Sequence, residues 1–329
     1  MAREFGEDKL LIATLPLMEE VVRGQFPKAS FIALPIRKKR VLLNVFVANC
    51  IRCFPAWRAL INSRADISIS LRHMRDYLMN ILFYSVSSNS RFVMKNGLLG
   101  NRRPVRRWME WIFVHLFRPN LCEYPVMVKG IPSELEANRM LASEALGRRV
   151  EISEIWPELH PVGKCPIETP FWICAPFSGN ADKDFPLAMW VEFLTAFHDR
   201  GKMPSLLLTG SAEQSHRLNE LLGLLVLSSP EMAAKVSVRI PSNLQSFIDL
   251  LAGAAFVLTV DTGAAHAATA LDCKTLVFFS GQHKGIYGPW VRSSRQRWVL
   301  PGDSVTKNPW NDFHDNGELL TLINDCCAT

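Results

Sequence analysis

Asp261-Thr262-Gly263, followed closely by His266, is the most informative grouping of chemically able residues in this 329-residue chain. An apolar, β-rich run, Ala255–Val260, stops at the Asp-Thr-Gly turn. A small-residue segment carrying His266 comes next, and then a second apolar run, Thr275–Phe279. The pattern predicts strand, tight turn, helix and strand, a βαβ unit with its polar groups where the first strand ends. Ligands of open α/β sheets bind outside the carboxyl ends of the strands. Backbone N–H groups at a helix start, with the helix dipole behind them, favour phosphate there. Gly263 and the alanines after it let a ligand approach the backbone closely. The bland reading stays open beside this one: Asp261 and Thr262 can simply cap the helix, and His266 can bond a neighbouring strand's carbonyl.

The spacing D-T-G-x-x-H-x-A-x-A-L over Asp261–Leu271 resembles the signature of the family 9 glycosyltransferases, the lipopolysaccharide heptosyltransferases and their relatives. Further matches follow in order. Ala175-Pro176-Phe177-Ser178-Gly179 with Lys183-Asp184-Phe185-Pro186 is similar to the family's P-G-S…K-x-W-P element, with Phe185 in place of the usual Trp. Thr209-Gly210-Ser211-Ala212-Glu213 is similar to its T-G-x-x-E turn, and Gly281 with Gly288-Pro289-Trp290 to its F-G…G-P segment. The resemblance is specific over about Pro170–Trp290 and loose elsewhere.

It implies a GT-B-like α/β fold: two Rossmann-like, doubly wound parallel-sheet domains facing across a cleft. It also implies inverting transfer of a sugar, heptose in the best-known members, from a nucleotide diphosphate sugar such as ADP-heptose to a lipopolysaccharide-core or related glycan. Such a transfer needs a carboxylate to take the acceptor hydroxyl's proton, and cations and N–H donors for the departing diphosphate. The resemblance assigns the diphosphate to Lys183, to the Ser178-Gly179 turn and to the backbone of Thr262, Gly263 and Ala264. Asp261 then accepts from a sugar hydroxyl, His266 combines a structural role with a phosphate contact, and Glu213 either meets the ribose or only stabilises a helix start. The family's catalytic base sits in a G-D turn near the N-terminus, which Gly6-Glu7-Asp8 resembles, so Asp8 is the expected base. Only five residues precede Gly6, too few for the usual first strand. Either the chain starts late, or Lys9–Thr14 is that strand and the acidic pair is Glu19-Glu20.

Other chemistries are less well supported. Asp182-Lys183-Asp184 is formally D-x-D, the metal-binding pair of another glycosyltransferase fold, but it coincides with the K-x-W-P position. No metal site and no cofactor beyond the donor substrate are expected. Cys50-x-x-Cys53 is a single pair with no second pair at zinc spacing and no nearby His, so it reads as ordinary thiols. The same holds for Cys326 and Cys327. His283-Lys284 can touch the donor sugar or be loop surface. A non-catalytic family member that binds nucleotide sugar or glycolipid without transfer is the competing function. An unrelated dinucleotide-binding enzyme ranks below both, because no G-x-G-x-x-G follows a strand.

The elements that must position these residues alternate clearly in the C-terminal half. Strands are expected at Phe171–Phe177, Ser205–Thr209 and Val236–Ile240, and helices at Pro186–Arg200, Glu213–Leu224 and Asn243–Ala252. A last helix is expected near Gly317–Cys326. The N-terminal half predicts strands at Lys9–Thr14, Ser30–Leu34, Val41–Val47 and Ile67–Ser70, and a helix at Leu17–Gln25. The prolines of Trp156–Thr169 mark a linker. The chain then divides into an acceptor-binding domain, 1–160, which lacks the usual first strand if the chain starts late, and a nucleotide-sugar-binding domain, 161–329.

With 48% hydrophobic and 21% charged residues the chain is globular. No apolar run reaches the ~18 residues of a membrane helix. The opening MAREFGEDKL has no apolar h-region, so a cytoplasmic protein is expected. The net charge of +6 hides an asymmetry. Residues 1–165 hold 25 Lys/Arg against 15 Asp/Glu, whereas residues 166–329 hold 12 against 16. A basic N-terminal half suits an anionic partner, and the absence of RNP, helix-turn-helix and zinc-finger patterns argues against nucleic acid. Arg102, Arg103, Arg106 and Arg107 precede Trp108, Trp111, Phe113 and Phe117, which suits an anionic glycolipid or the cytoplasmic face of the inner membrane, or else a core helix with a basic approach.

Overall fold

The computed structural model describes residues 1–36, 43–70, 82–95, 121–125, 133–201, 203–281, 284–300, 310 and 321. The chain forms two compact units, Met1–Trp156 and Pro157–Thr329. In the first, β1 (Leu11–Thr14) and β2 (Ser30–Ala33) pair in parallel. Helix α1 (Pro16–Gln25) lies between them in sequence and opens on Pro16, where a missing N–H costs nothing. A second parallel sheet has the order β3 (Arg64–Ser70), β4 (Ser87–Lys95), β5 (Leu121–Pro125).

Of the segment Val41–Val47, expected as a strand, the described part from Leu43 corrects to helix: α2 spans Leu43–Ile61. Its period shows only over the longer stretch, where Cys53, Ala56 and Leu60 are buried against Leu34, Leu82 and Val86. A seven-residue apolar window cannot separate strand from helix. Helix α3 (Glu134–Leu146) starts at Ser133, whose hydroxyl accepts from the Glu136 N–H at 3.2 Å. It ends at Gly147, where φ of 62° needs a residue without Cβ. Its buried stripe, Ala137, Leu141 and Ala145, packs with Phe92 and against Ile67 and Ile69.

The second unit is built on a six-stranded, all-parallel sheet of order β11-β10-β9-β6-β7-β8. Its strands are β6 (Phe171–Ala175), β7 (Ser205–Thr209), β8 (Val236–Arg239), β9 (Phe256–Val260), β10 (Thr275–Phe278) and β11 (Gln296–Val299), the last unanticipated in the sequence. Successive strands are separated by α4 (Leu187–Asp199), α5 (Ser215–Ser228), α6 (Leu244–Gly253) and α7 (Gly263–Ala270). Both faces of the sheet are covered, as continuous apolar parallel strands require. Cys174, Leu206, Leu208 and Leu258 face one core with Trp190, Phe193 and Leu221. Ile173, Leu207 and Val257 face the other with Leu250, Leu251 and Ala268. The α/β, GT-B-like expectation holds in this doubly wound unit.

Of the expected helix at Gly317–Cys326 only Thr321 is described, and it is helical; Cys326 and Cys327 lie outside the described residues, as do Arg102, Arg103, Arg106, Arg107 and His283. Cys50 and Cys53 sit on α2 as free thiols. Among the described residues no helix is long and apolar enough to cross a membrane.

Candidate active site

The strand order carries the argument. From β6 the chain moves outward through β7 to β8, then returns to lay β9 on the other side of β6 and continues outward through β10 to β11. The pair β6/β9 is therefore the topological switch point, where helices leave to opposite sides and open a crevice at the strands' carboxyl ends. Register across it is fixed: Ala175 lies beside Thr259, whose hydroxyl donates to the Ala175 carbonyl at 2.9 Å.

The expected residues gather at this crevice. Ser178, Gly179 and Lys183 follow β6, and Asp261, Thr262, Gly263, Ala264 and His266 follow β9. Lys183 Nζ donates to Asp261 Oδ2 at 2.7 Å. The Asp261 side chain is 2% exposed and that of Lys183 19%, so the carboxylate is buried and its cation reaches solvent. His266 Nε2 lies 3.8 Å from Asp261 Oδ1, an electrostatic neighbour beyond hydrogen-bond range. Burial lowers the His266 pKa, and Lys183 adds to that while Asp261 opposes it. The His266 ring packs 4.6 Å from Trp290 and 6.2 Å from Trp298.

Thr262, not Asp261, caps α7: its hydroxyl accepts from the Ala264 N–H at 3.1 Å. The Ala264 N–H is thus already engaged, as is Oδ2 of the Asp261 carboxylate with Lys183. Gly263 and Gly179 are exposed, and a Cβ built on either would meet open space.

A second set of contacts fixes the turn after β6. Gln214 Nε2 donates to the carbonyls of Phe177 and Ser178 at 3.1 and 3.2 Å. The Ser178 N–H donates to Asp184 Oδ1 at 2.6 Å, and Asp184 Oδ2 accepts from Arg217 Nη1 at 2.7 Å. The Arg217 guanidinium in turn covers the Phe177 ring at 3.9 Å. The Ser178 hydroxyl donates to the Asn180 carbonyl, closing the loop on itself. Asp184 therefore has a structural partner on each oxygen. Among the described residues no three His, Cys, Asp or Glu side chains converge as a metal would require. Sequence reasoning passed over Gln214 and Arg217; the signal available was their place directly after the T-G-x-x-E turn.

Phe185, the substitute for the family's Trp, is a core residue. It stacks on Phe278 with ring centres 4.1 Å apart and meets Trp190 and Trp310 edge-on. Lys183 is thereby anchored two residues before a buried aromatic. Glu213 is exposed on the turn after β7, and hydrogen bonds from Ser211 and from its own turn's backbone lower its carboxyl pKa.

In the first unit, Asp8 is exposed on a 3-10 turn, Glu7–Lys9, directly before β1. Glu19 and Glu20 follow the carboxyl end of β1 on α1, with Glu19 bonded to Arg23 at 2.8 Å.

Comparison with known proteins agrees with this geometry. Three solved structures share the fold over most of their length. E. coli heptosyltransferase WaaC with ADP-2-deoxy-2-fluoro heptose is 17% identical, with a TM-score of 0.61 over 93% of this chain and 88% of that one. A glycosyl transferase family 9 structure from Veillonella parvula DSM 2008 is 11% identical, with a TM-score of 0.64 over 97% and 88%. E. coli ADP-heptose lps heptosyltransferase II is 15% identical, with a TM-score of 0.58 over 95% and 89%. No curated protein sequence matches this one. The family model "Glycosyltransferase family 9 (heptosyltransferase)" matches residues 127–307, more than half of the chain and all of the crevice described above. The chain belongs to glycosyltransferase family 9 and is a glycosyltransferase of the heptosyltransferase kind.

Proposed function

We propose that this enzyme transfers heptose from ADP-heptose to a lipopolysaccharide-core or related anionic glycan, with inversion. The Lys183–Asp261 pair at the β6/β9 crevice carries the reading. Lys183 reaches solvent beside an exposed helix start, where a leaving diphosphate gains most from a cation and N–H donors. Asp261 keeps a second oxygen, 3.8 Å from His266, to accept from a sugar hydroxyl. Ser178 and Gly179 contact phosphate, Glu213 the ribose, and the C-terminal domain, 161–329, binds the donor. The N-terminal domain, 1–160, holds the acceptor, and Asp8 takes the proton of the attacking hydroxyl. The ADP-sugar bound in the WaaC structure supports the choice of donor. The reaction proceeds without a metal ion.

A thermal-shift panel of ADP, UDP and GDP, each with its sugars, tests the donor. Ligand at 100 Kd stabilises by ~2.7 kcal/mol, so ADP and ADP-heptose are expected to raise Tm and the uridine and guanosine compounds to leave it near the free value. A larger shift with UDP or GDP sugars replaces the donor; no shift with any of them overturns the site.

The arginine-rich stretch supplies the acceptor's counter-charge in this reading. Residues 91–118 hold seven basic side chains and one acidic. Replacing Arg102, Arg103, Arg106 and Arg107 by Gln is expected to weaken binding of a phosphorylated glycolipid acceptor, and salt to weaken the parent's binding in the same way. Acceptor binding that ignores both changes counts decisively against the assignment.

A further inference from the structure

Helix α2 is apolar on two sides, and only one of them is covered. Cys53, Ala56 and Leu60 face the core. On the opposite arc Ile51, Phe54 and Ile61 are 69%, 53% and 45% exposed, with Pro55 exposed among them. A helix that serves only its own core carries polar residues on its outer face, and clustered exposed apolar side chains mark an interaction site. The polar members of this arc are Arg52, Arg58 and Asn62. At 100° per residue Arg58 falls between Phe54 and Ile51 within the apolar stripe, and Arg52 at its border. The helix has no acidic residue, and among the described residues neither arginine forms an ion pair.

We propose that this outer face of α2 docks on an anionic lipid surface. The charge pattern selects that occupant. A second copy of the chain would bring the same arginines against themselves with no carboxylate between them. An apolar protein groove would bury Arg58 unpaired, which is costly. A lipid interface meets both needs, hydrocarbon for Ile51, Phe54 and Ile61 and phosphate for the guanidinium groups at the depth their stems reach. The face and the donor crevice belong to different units and share no residue, so the inference stands or falls apart from the choice of donor. It also rests on different residues from the arginine-rich stretch assigned to the acceptor.

The test is flotation of the full-length chain with vesicles of neutral phosphatidylcholine and with vesicles containing anionic phosphatidylglycerol. The parent is expected to float with anionic vesicles and to be released by salt. Ile51→Ser with Phe54→Ser is expected to lower the partition coefficient at least about tenfold, from the lost apolar burial. Arg52→Gln with Arg58→Gln should lower it by roughly fivefold per arginine on anionic vesicles only. These positions are exposed, so unchanged far-UV circular dichroism and an unchanged thermal shift with the best nucleotide confirm the fold. A parent that ignores anionic vesicles, or double variants that float as well as the parent, overturns the proposal. So does concentration-dependent self-association abolished by Ile51→Ser and Phe54→Ser without any flotation, which would make the face a contact between copies.

Discussion

Lys183→Ala and Asp261→Ala are each expected to lower kcat/KM by about 10²–10³, the usual effect of removing one group that stabilises developing charge. Their structural costs should differ. Removing Lys183 strands the Asp261 carboxylate, whose side chain is 2% exposed, and an uncompensated buried charge costs ~3–5 kcal/mol of stability. Removing Asp261 leaves a lysine that can swing into water, so Asp261→Ala should unfold at a temperature closer to the parent's. Asp261→Asn separates charge from shape: it keeps the side chain's volume and loses the ion pair. Turnover with the best donor, measured on protein whose folding is confirmed by circular dichroism, decides the matter. Parent-like kcat/KM in either alanine variant removes that residue from the site.

Asp8→Asn is expected to cut the rate by about 10²–10⁴ with donor binding nearly unchanged, because the amide keeps the shape of the base and cannot accept the proton. Asp8 precedes β1, whereas ligands of such sheets collect past the carboxyl ends. The same exchange at Glu19 and Glu20, which do follow the carboxyl end of β1, is therefore part of the experiment. If Glu20→Gln or Glu19→Gln produces the loss and Asp8→Asn does not, the base lies on α1. If none of the three affects turnover, none of them is the base.

Much of the C-terminal unit was legible because its strands are apolar on both faces and bounded by Gly, Pro and Asp, a signal that needs no partner strand to read. The residues of the crevice were legible through their turns. Their convergence was not: that Lys183 would meet Asp261 across 78 positions depends on β9 returning to lie beside β6, and strand order leaves no trace in local periodicity. Asp184 showed the same limit. The sequence placed it in the K-x-W-P position, but its partners, the Ser178 N–H and Arg217, come from other elements. In the N-terminal unit Leu43–Val47 misled because the helical period emerges only over the longer stretch to Ile61. The Gly6-Glu7-Asp8 match concerned type and order, and neither says at which end of a strand the residues come to lie.

The composition of α7 has a consequence for how this protein can vary. Ala264, Ala265, Ala268 and Ala270 are all buried, with Thr269 the one larger side chain buried beside them, so little more than a methyl group separates most of the helix from its neighbours. Its distance from the sheet is set by methyl groups and one threonine, with no long side chain left to act as a shim. An added methylene on the inner side must be absorbed by moving the whole eight-residue helix, and its exposed first residue, Gly263, would move with it. Variation at these positions is thus limited by volume and hardly at all by polarity at the rim. Sequence drift can repaint the edges of the crevice while its depth stays where the sheet puts it.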